Sequence, residues 1–467
     1  MILKTTKKIR IDFFTCQFHL LIVFFILFLN SVNAFAIENQ KITINKIKII
    51  IDEQIYNWQE VNNIPEKEAI NFTSPKTVIS FLSIKPNETI YIKILEQKLF
   101  DAEKRLMESG YFFSAKTYWV SSSNDQNLVN VIIEVKEGFL FRFGGGAIFG
   151  VAGKDNLFGL RKSIYLFFGY NLNGVDFKDE LFFGSDFIFR LRLLYQNSYG
   201  FSEITFNKID LTNTFGYRFS PQTSLILFSY IRYQDSVISE DYSTLFFYNG
   251  KFFTFNERLV FNYNFYKGNP DFYLRGLIEF SPGFYYYLPV FGTWSNSYNN
   301  FILNLKAKTI IVLETSFLTF GISSVLFYSG GVLDYIDSYN LSYSDEGFVR
   351  TSIANYQKFP DATFITNIEL RSKYFVLPLS GIFNFSFSFF IFDDIAFNKI
   401  IYKQITDLPV NLITDEVNIQ NGFYILNSFG FGIRFGFDIP INVFFTLTIG
   451  WNLNGNYSII LFFGKGF

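Results

Sequence analysis

The residue types that most often carry out chemistry are nearly absent from this sequence. Its one cysteine and one histidine are Cys16 and His19, and both lie in a segment at the N-terminus that has the pattern of a cleaved signal. The rest of the chain then has no thiol nucleophile, no imidazole base, no disulfide and no His or Cys metal ligand. We therefore expect no enzyme, no metal site and no cofactor.

A glycine-rich stretch is the next candidate for chemistry. FGGGAIFG contains Gly144, Gly145 and Gly146 in succession, and such loops can hold a phosphate group when a Lys-Ser or Lys-Thr pair and a helix follow. Neither follows here. The three glycines are more typical of a strand that must bend or let another strand approach closely.

The N-terminal segment has the three parts of a secretory signal. Four basic residues lie among the first ten, an apolar run covers residues 20–29, and Ala34 and Ala36 offer small side chains for cleavage. About ten apolar residues are too few to span a bilayer as a helix, so an uncleaved anchor is the weaker alternative. We predict a signal peptide over residues 1–36.

The amino-acid composition indicates that the chain does not fold in water alone. Aromatic residues make up 21% of the whole sequence, with 65 Phe and 29 Tyr, yet hydrophobic residues total only 49% and the mean hydropathy is +0.20. A closed barrel in lipid fits both facts, because only alternate residues face the acyl chains and aromatic residues gather at the interfaces. The net charge of −1 gives no indication of a nucleic-acid partner.

Residues 41–138 have the pattern of a small α+β domain. The order is β-α-α-β-β: a strand in KITINKIKIII, a helix from Pro75 with Ser74 as its cap, a helix from about Tyr91 to Ser109 that Gly110 ends, and two strands on either side of SSNDQN. Five isoleucines of the first strand are expected to be spread over both of its faces: Ile42, Ile44, Ile47, Ile49 and Ile51.

From residue 139 to residue 467 the hydrophobic period is two. In FIFRLRLLY the odd positions are apolar, while Arg190 and Arg192 occupy even ones and need water. The same alternation recurs near the end, in NVFFTLTIGW. One face of each strand would meet lipid and the other a wet lumen, which predicts a transmembrane antiparallel β-barrel. At roughly twenty residues for each strand and its share of the connections, this region holds about 16 strands.

The same parity places acidic residues on the inner wall. In FITNIELR the even positions are mostly apolar and Glu369 lies on the opposite face, toward the lumen. In NFSFSFFIFDD the phenylalanines alternate with Asn and Ser, so Asp394 points inward and Asp393 does not. A guanidinium group between two such carboxylates would form charge-assisted hydrogen bonds.

Several stretches of the sequence resemble parts of two known modules. MESGYFFSAKTYWV leading into NVIIEVKEG resembles a POTRA domain, the periplasmic module of outer-membrane assembly proteins. EGFLFRFGGGAIFG, KDNLFGLR, NSFGFGIRFGFDIPINVFFTLTIGW and the closing SIILFFGKGF resemble, in order, parts of the BamA/TamA-type family, which joins POTRA domains to a sixteen-stranded barrel.

The resemblance gives roles to particular residues. VRTS lies where the family has a Val-Arg-Gly-aromatic motif on a loop that folds into the barrel, so Arg350 is expected to reach Glu369 and Asp394, although Thr351 and Ser352 depart from the motif. The first and last strands would meet at a weak seam. Its expected residues are Gly144, Gly145, Gly146, Phe463 and Phe467.

The sequence therefore predicts an outer-membrane protein with its N-terminal domain in the periplasm. The resemblance implies that it assists the assembly or insertion of other barrels, or translocates polypeptides, with unfolded polypeptides, lipid and periplasmic or lipoprotein partners. The alternative is a passive channel or a dedicated secretion pore whose POTRA domain only docks a partner.

Overall fold

A computed structural model gives the fold of most of the chain. It describes residues 40–59, 73–122, 125–138, 141–145, 149–157, 160–170, 172–182, 186–197, 204–238, 248–269, 272–294, 300–331, 362–378, 384–399, 423–439, 443–452 and 457–463. The predicted signal peptide lies outside these residues.

The N-terminal part is a five-stranded sheet with two helices. Its elements are β1 Lys41–Ile51, β2 Gln54–Asn57, α1 Pro75–Ile79, β3 Thr89–Tyr91, α2 Ile92–Glu108, β4 Phe112–Ser122 and β5 Asp125–Glu137. The strand order is β2-β1-β5-β4, with β3 also paired to β1, and β1 runs parallel to β5. The predicted order of elements is confirmed, and the short strands β2 and β3 are additions to it.

Local signals in the sequence fix both helices. The side chain of Ser74 accepts a hydrogen bond from the backbone of Lys76, and Pro75 is the first residue of α1. The helix α2 ends before Gly110, which has a φ of +70°. Glycine is favoured there because a side chain would strain this left-handed conformation.

The core of this domain lies between the sheet and the helices. Buried residues of β1, β5 and α2 form one cluster that includes Ile44, Val131 and Leu99. The expectation that Ile42, Ile44, Ile47, Ile49 and Ile51 face both sides was wrong, because all five belong to this cluster, whereas Ile50 does not. A bulge between Ile44 and Lys46 shifts the register by one residue, so the positions after it return to the buried face.

The rest of the described chain is an antiparallel barrel. Its strands are β6 Phe141–Gly145, β7 Phe149–Leu157, β8 Lys162–Gly169, β9 Leu172–Phe182, β10 Phe187–Asn197, β11 Ile204–Arg218, β12 Thr223–Ile238, β13 Tyr248–Asn269, β14 Phe272–Trp294, β15 Phe301–Thr315, β16 Leu318–Ser329, β17 Ala362–Ser372, β18 Phe375–Pro378, β19 Asn384–Lys399, β20 Phe423–Ile439, β21 Val443–Trp451 and β22 Tyr457–Phe463.

The order of these strands is that of a closed barrel, in which β22 is the neighbour of β6. Both β17 and β18 pair with β19, so they are one strand interrupted at Lys373 and Tyr374. Counted in this way the described residues form sixteen strands, and the predicted barrel of about 16 strands is confirmed.

The two faces of the barrel strands have opposite chemistry. On β10 the outward side chains Phe187, Leu191, Leu193 and Tyr195 are 37–45% exposed. On the inward face, Arg190 donates to both carboxylate oxygens of Asp176 on β9. Thr446 and Thr448 of β21 are likewise buried inside. A water-soluble protein has its apolar side chains inside and its polar side chains outside, and this barrel has the opposite arrangement. Its outer surface is therefore suited to lipid.

Within the described ranges, no helix is both long and apolar enough to cross a bilayer.

A buried carboxyl on α2 makes the stability of the N-terminal domain depend on pH. Burial raises the pKa of Asp101 from 3.8 to about 6, although Gln97 donates a hydrogen bond to it and Arg105 attracts it. Between pH 4 and pH 6 the folded domain therefore keeps a proton that the unfolded chain releases. The free energy of unfolding falls as the pH rises through this window. Above pH 6 it has fallen by the full amount that burial of the Asp101 carboxylate costs.

We expect Asp101→Asn to be more stable than the wild-type domain at pH 7.5, by up to about 3 kcal/mol, and to show little difference at pH 4. Urea unfolding of the N-terminal domain within the full-length protein in detergent, followed at both pH values, measures this. Glu96→Gln, which changes an exposed side chain of the same helix, is the control. An equal difference at the two pH values would contradict the prediction.

Candidate functional site

The described lumen wall has a buried charge cluster around Glu369. Both Nε and Nη2 of Arg371 donate to its Oε1, at 3.0 and 2.6 Å, and Nη2 of Arg434 donates to its Oε2 at 3.0 Å. Glu369 is only 2% exposed. The guanidinium of Arg434 also lies over the ring of Phe390, 4.9 Å from its centroid. Two cations thus hold one carboxylate on the inner face of β17, β19 and β20.

Asp394 lies on the same wall, on β19. Its Oδ1 accepts a hydrogen bond of 2.9 Å from the amide of Asn367, which is its registered partner on β17. Asp394 is fully buried, whereas the side chain of Asp393 is exposed on the outer face. Both carboxylates therefore point inward, as parity predicted. Arg350 lies outside the described residues, so its contact with them stays a prediction.

Sequence reasoning missed the arginines that bind Glu369. Arg434 lies in FGIRFGF, where the phenylalanines and Ile433 alternate with Gly432, Arg434 and Gly436. The parity argument that selected Asp394 selects Arg434 as well. Glu369 on β17 and Arg434 on β20 are separated by the strand β19. Their pairing could therefore be found only from the register of these three strands.

The expected seam residues are only partly described. Gly144 and Gly145 pair with Val151 and Gly150 of β7, and Phe463 pairs with Phe445 of β21. Gly146 and Phe467 lie outside the described residues. Five described residues belong to β6 and seven to β22.

The N-terminal domain meets the barrel at the turn between β7 and β8. Asn156 and Arg161 flank this turn with φ of +48° and +57°, which is uncommon for residues other than glycine and costs free energy. The side-chain oxygen of Asn156 accepts from the backbone of Arg161 at 2.9 Å, and its amide donates to Thr73 of the N-terminal domain at 2.7 Å. The strained turn is held by contacts on both sides of the junction.

Arg161 is the centre of this junction. Its Nη1 donates to the hydroxyl of Ser80 at 2.7 Å, and its guanidinium lies 4.3 Å from the centroid of the Phe81 ring. Its Nη2 binds Glu180 of β9, which also forms an ion pair of 3.7 Å with Arg218 of β11. One side chain therefore connects the α1 region to two barrel strands.

The helix α2 adds a second contact with the barrel. Phe100 packs edge-on against Tyr273 of β14 with ring centroids 5.3 Å apart, and the ammonium of Lys104 lies 4.9 Å from the same ring. Arg105 lies over Tyr266 of β13 at 5.7 Å. The N-terminal domain is thus fixed to the barrel at two places on its rim.

The sheet of the N-terminal domain leaves an edge at β4. Within the described chain β4 pairs with β5 on one side only. Its exposed face carries Tyr118 and Val120, which are 39% and 41% exposed. A long edge strand with apolar side chains can accept a further strand.

The Glu369 cluster predicts a large effect on barrel stability. We expect Glu369→Gln to lower the free energy of unfolding by about 3–5 kcal/mol, because two buried guanidinium groups lose their counter-charge. The temperature at which the folded barrel loses its compact electrophoretic mobility in detergent measures this loss. Asp393→Asn, which alters an outward-facing carboxyl on the neighbouring strand, is the matched control. Equal unfolding temperatures for the two variants would contradict the prediction.

Several solved structures are similar to this one. The structure is similar to BamA from Haemophilus ducreyi lacking POTRA domains 1–3, with 12% identity, a TM-score of 0.42 and coverage of 91% of this chain and 85% of that one. It is also similar to CdiB from Acinetobacter baumannii, with 12% identity, a TM-score of 0.47 and coverage of 91% of this chain and 73% of that one. A third similar structure is CdiB from Escherichia coli, with 10% identity, a TM-score of 0.47 and coverage of 91% of this chain and 76% of that one. No curated protein matches the sequence.

One family model matches part of the chain. It is POTRA, described as a surface antigen variable number repeat, and it covers residues 70–138. These residues include both helices, the edge strand β4 and the central strand β5. The resemblance of this region to a POTRA domain is confirmed, and the chain joins a POTRA domain to a sixteen-stranded antiparallel β-barrel.

Proposed function

We propose that this chain is a BamA/TamA-type outer-membrane protein, which assists the insertion of other barrels or moves polypeptides across the membrane. Residues 41–138 form its periplasmic domain, and residues 139–467 form the barrel. It has no catalytic role. The single observation that carries the proposal is the attachment of a POTRA domain, whose edge strand β4 pairs on one side only among the described residues, to the rim of a lipid-facing barrel.

The surface of the barrel supports its place in a membrane. Large apolar side chains are exposed on strand after strand, from Leu166 and Phe168 on β8 to Phe429 and Phe431 on β20. In water such a continuous apolar surface would cause aggregation. In a bilayer it is the stable arrangement, and strands whose order closes into a barrel leave few backbone groups unpaired in lipid.

The edge strand β4 supports the capture of a client. An unfolded polypeptide in an extended conformation can add its backbone hydrogen bonds to those of β4. Tyr118 and Val120 offer apolar contacts for alternate residues of that client. Because α2 is held against Tyr266 and Tyr273, the captured strand is close to the mouth of the barrel.

The glycines of β6 support a weak seam. With glycine at Gly144 and Gly145, two of the five described residues of β6 have no side chain to pack against a neighbouring strand. We propose that Gly144, Gly145, Gly146, Phe463 and Phe467 form the seam that opens toward lipid.

The polar wall supports a loop that reaches into the lumen. Asp394 and the Glu369 cluster provide carboxylates facing the interior. We propose that Arg350, on the segment between β16 and β17, approaches Asp394. Glu369 already holds two guanidinium groups, so Asp394 is the carboxylate with more to gain from a third arginine.

A passive channel or dedicated secretion pore remains the second candidate. The observation that favours it is the polar inner wall, with buried Arg232, Gln234 and Ser236 on one strand alone, which suits a wet passage. In this role the POTRA domain would only dock a partner.

Depletion of the protein distinguishes the two functions. We expect the abundance of several unrelated outer-membrane barrels to fall, because each would need the seam and the POTRA edge for insertion. Mass spectrometry of isolated envelopes measures this, and soluble periplasmic proteins are the control. A fall in one secreted protein alone would favour the secretion pore, and no change in any barrel would favour the passive channel.

Crosslinking tests the position of Arg350. The chain without its signal has no cysteine, so Arg350→Cys with Asp394→Cys introduces a single pair of thiols. We expect a bifunctional maleimide about as long as an arginine side chain to join them in the folded barrel. Arg350→Cys with Ser386→Cys is the control, because Ser386 is eight residues, or about 26 Å, farther along the same inward face. Equal crosslinking of both pairs would contradict the proposal.

A further inference from the structure

A cavity of about 240 Å³ lies in the inner wall of the barrel. It is lined by side chains of β14, β15, β16 and β17 and by Lys373, at the interruption that follows β17. One of the lining residues, Arg275, is two positions along β14 from Tyr273, which packs against Phe100 of α2. The cavity is therefore at the end of the barrel that carries the POTRA domain.

Gly321 accounts for the space. It is registered with Val312 of β15 on one side and with Glu369 of β17 on the other, and glycine places no side chain between these two. A Cβ atom at Gly321 would meet no atom of another described residue within 4 Å, apart from its chain neighbours, whereas one at Gly432 would lie 2.4 Å from the ring of Phe390. The neighbouring side chains therefore do not close the gap that this glycine leaves.

The charge of the wall is mainly positive. Among the described lining residues, Arg275, Arg371 and Lys373 are accompanied by two carboxylates, Glu314 and Glu369. Glu369 is already held by two guanidinium groups, as described above. Of these two carboxylates, Glu314 is thus the one shared by Arg275 and Lys373.

Glu314 stands off from both of these cations. Nε of Arg275 lies 3.6 Å from its Oε1, and Nζ of Lys373 lies 3.9 Å from its Oε2. Both distances exceed that of a hydrogen bond. The side chain of Lys373 is 43% exposed, whereas that of Glu369 is 2% exposed, so the cavity is open to water at Lys373 and closed at Glu369. An anion that enters at Lys373 can approach both cations more closely than Glu314 does.

The carboxylate of Glu314 restricts which anions fit. It repels an oxyanion that can only accept hydrogen bonds, such as sulfate. Monohydrogen phosphate keeps one hydroxyl group, which can donate to Glu314 while its other oxygens accept from Lys373 and Arg275. Thr319, registered between Glu314 and Arg371, adds a hydroxyl group to the same wall. The cavity is smaller than the usual ligand site of about 300–1,000 Å³, so it suits a small ion.

We propose that this cavity is a binding site for inorganic phosphate in its monohydrogen form. Lys373 and Arg275 hold its negative charge, and Glu314 accepts a hydrogen bond from its hydroxyl group. The bound ion joins β14 and β15 to the segment at Lys373, just beyond the last registered pair between β16 and β17. This site does not depend on the proposed function, because its argument uses only the chemistry of the barrel wall.

Titration calorimetry of the purified full-length protein in detergent tests the proposal, with inorganic phosphate compared with sulfate. We expect phosphate to bind at least about tenfold more tightly than sulfate, because only phosphate can donate a hydrogen bond to the carboxylate of Glu314. Equal affinity for the two ions would overturn the role of Glu314, and no binding of phosphate would overturn the site.

Three variants separate the parts of the site. Glu314→Gln should strengthen the binding of sulfate by about tenfold and remove the preference for phosphate, because the repelling charge is lost. Lys373→Gln should weaken the binding of both ions by about tenfold. Gly321→Val should abolish both, because its side chain fills the cavity without changing any charge.

The matched control is Lys178→Gln. Lys178 lies on β9, is 41% exposed, pairs with Glu180 and does not line the cavity, so its loss should leave the affinity for phosphate unchanged. All variants are first checked for compact electrophoretic mobility, so that loss of folding is not taken for loss of binding. Equal weakening by Lys178→Gln and Lys373→Gln would overturn the proposal, and so would unchanged binding in Gly321→Val. Weaker binding of sulfate in Glu314→Gln would show that Glu314 only supports the wall.

Discussion

The structure depends above all on the need to pair every backbone amide and carbonyl of a chain that lies in lipid. A bilayer offers no hydrogen-bond partner, so strands are stable there only when they pair with neighbours on both sides. Sixteen strands whose order closes into a barrel meet this condition. Once they do, the period of two puts alternate side chains in lipid and in the lumen, and the high content of Phe and Tyr follows from that geometry.

This constraint makes the interior as demanding as the exterior. Charged side chains that point inward are partly desolvated, and each needs a partner of opposite charge. Glu369 with Arg371 and Arg434, and Arg190 with Asp176, are solutions to that problem on opposite parts of the wall. Such pairs also fix which strand register is acceptable, because a shift of one residue would move every charge into the lipid.

The junction between the POTRA domain and the barrel is a different kind of feature. Two residues in left-handed conformations and a buried arginine bound across the junction cost stability in a chain that could have used a neutral linker. Strain of this kind persists where the surroundings hold it in place, as the hydrogen bonds to Thr73 and Ser80 do here.

The sequence by itself determined much of this protein. Parity was enough to predict a barrel, its approximate strand number and the inward direction of Glu369 and Asp394, because one residue of spacing decides the face of a strand. Cap and stop residues such as Ser74, Pro75 and Gly110 predicted the helices, because their effect is local.

Only the tertiary structure decided which residues meet. Arg434 is 65 residues from Glu369, and Ser80 is 81 residues from Arg161, so their contacts depend on strand register and on the docking of two domains. Nor could alternation reveal the bulge in β1 that returns its isoleucines to one core. Periodicity is a property of neighbouring residues, whereas a site built from distant segments exists only when the whole fold brings them together.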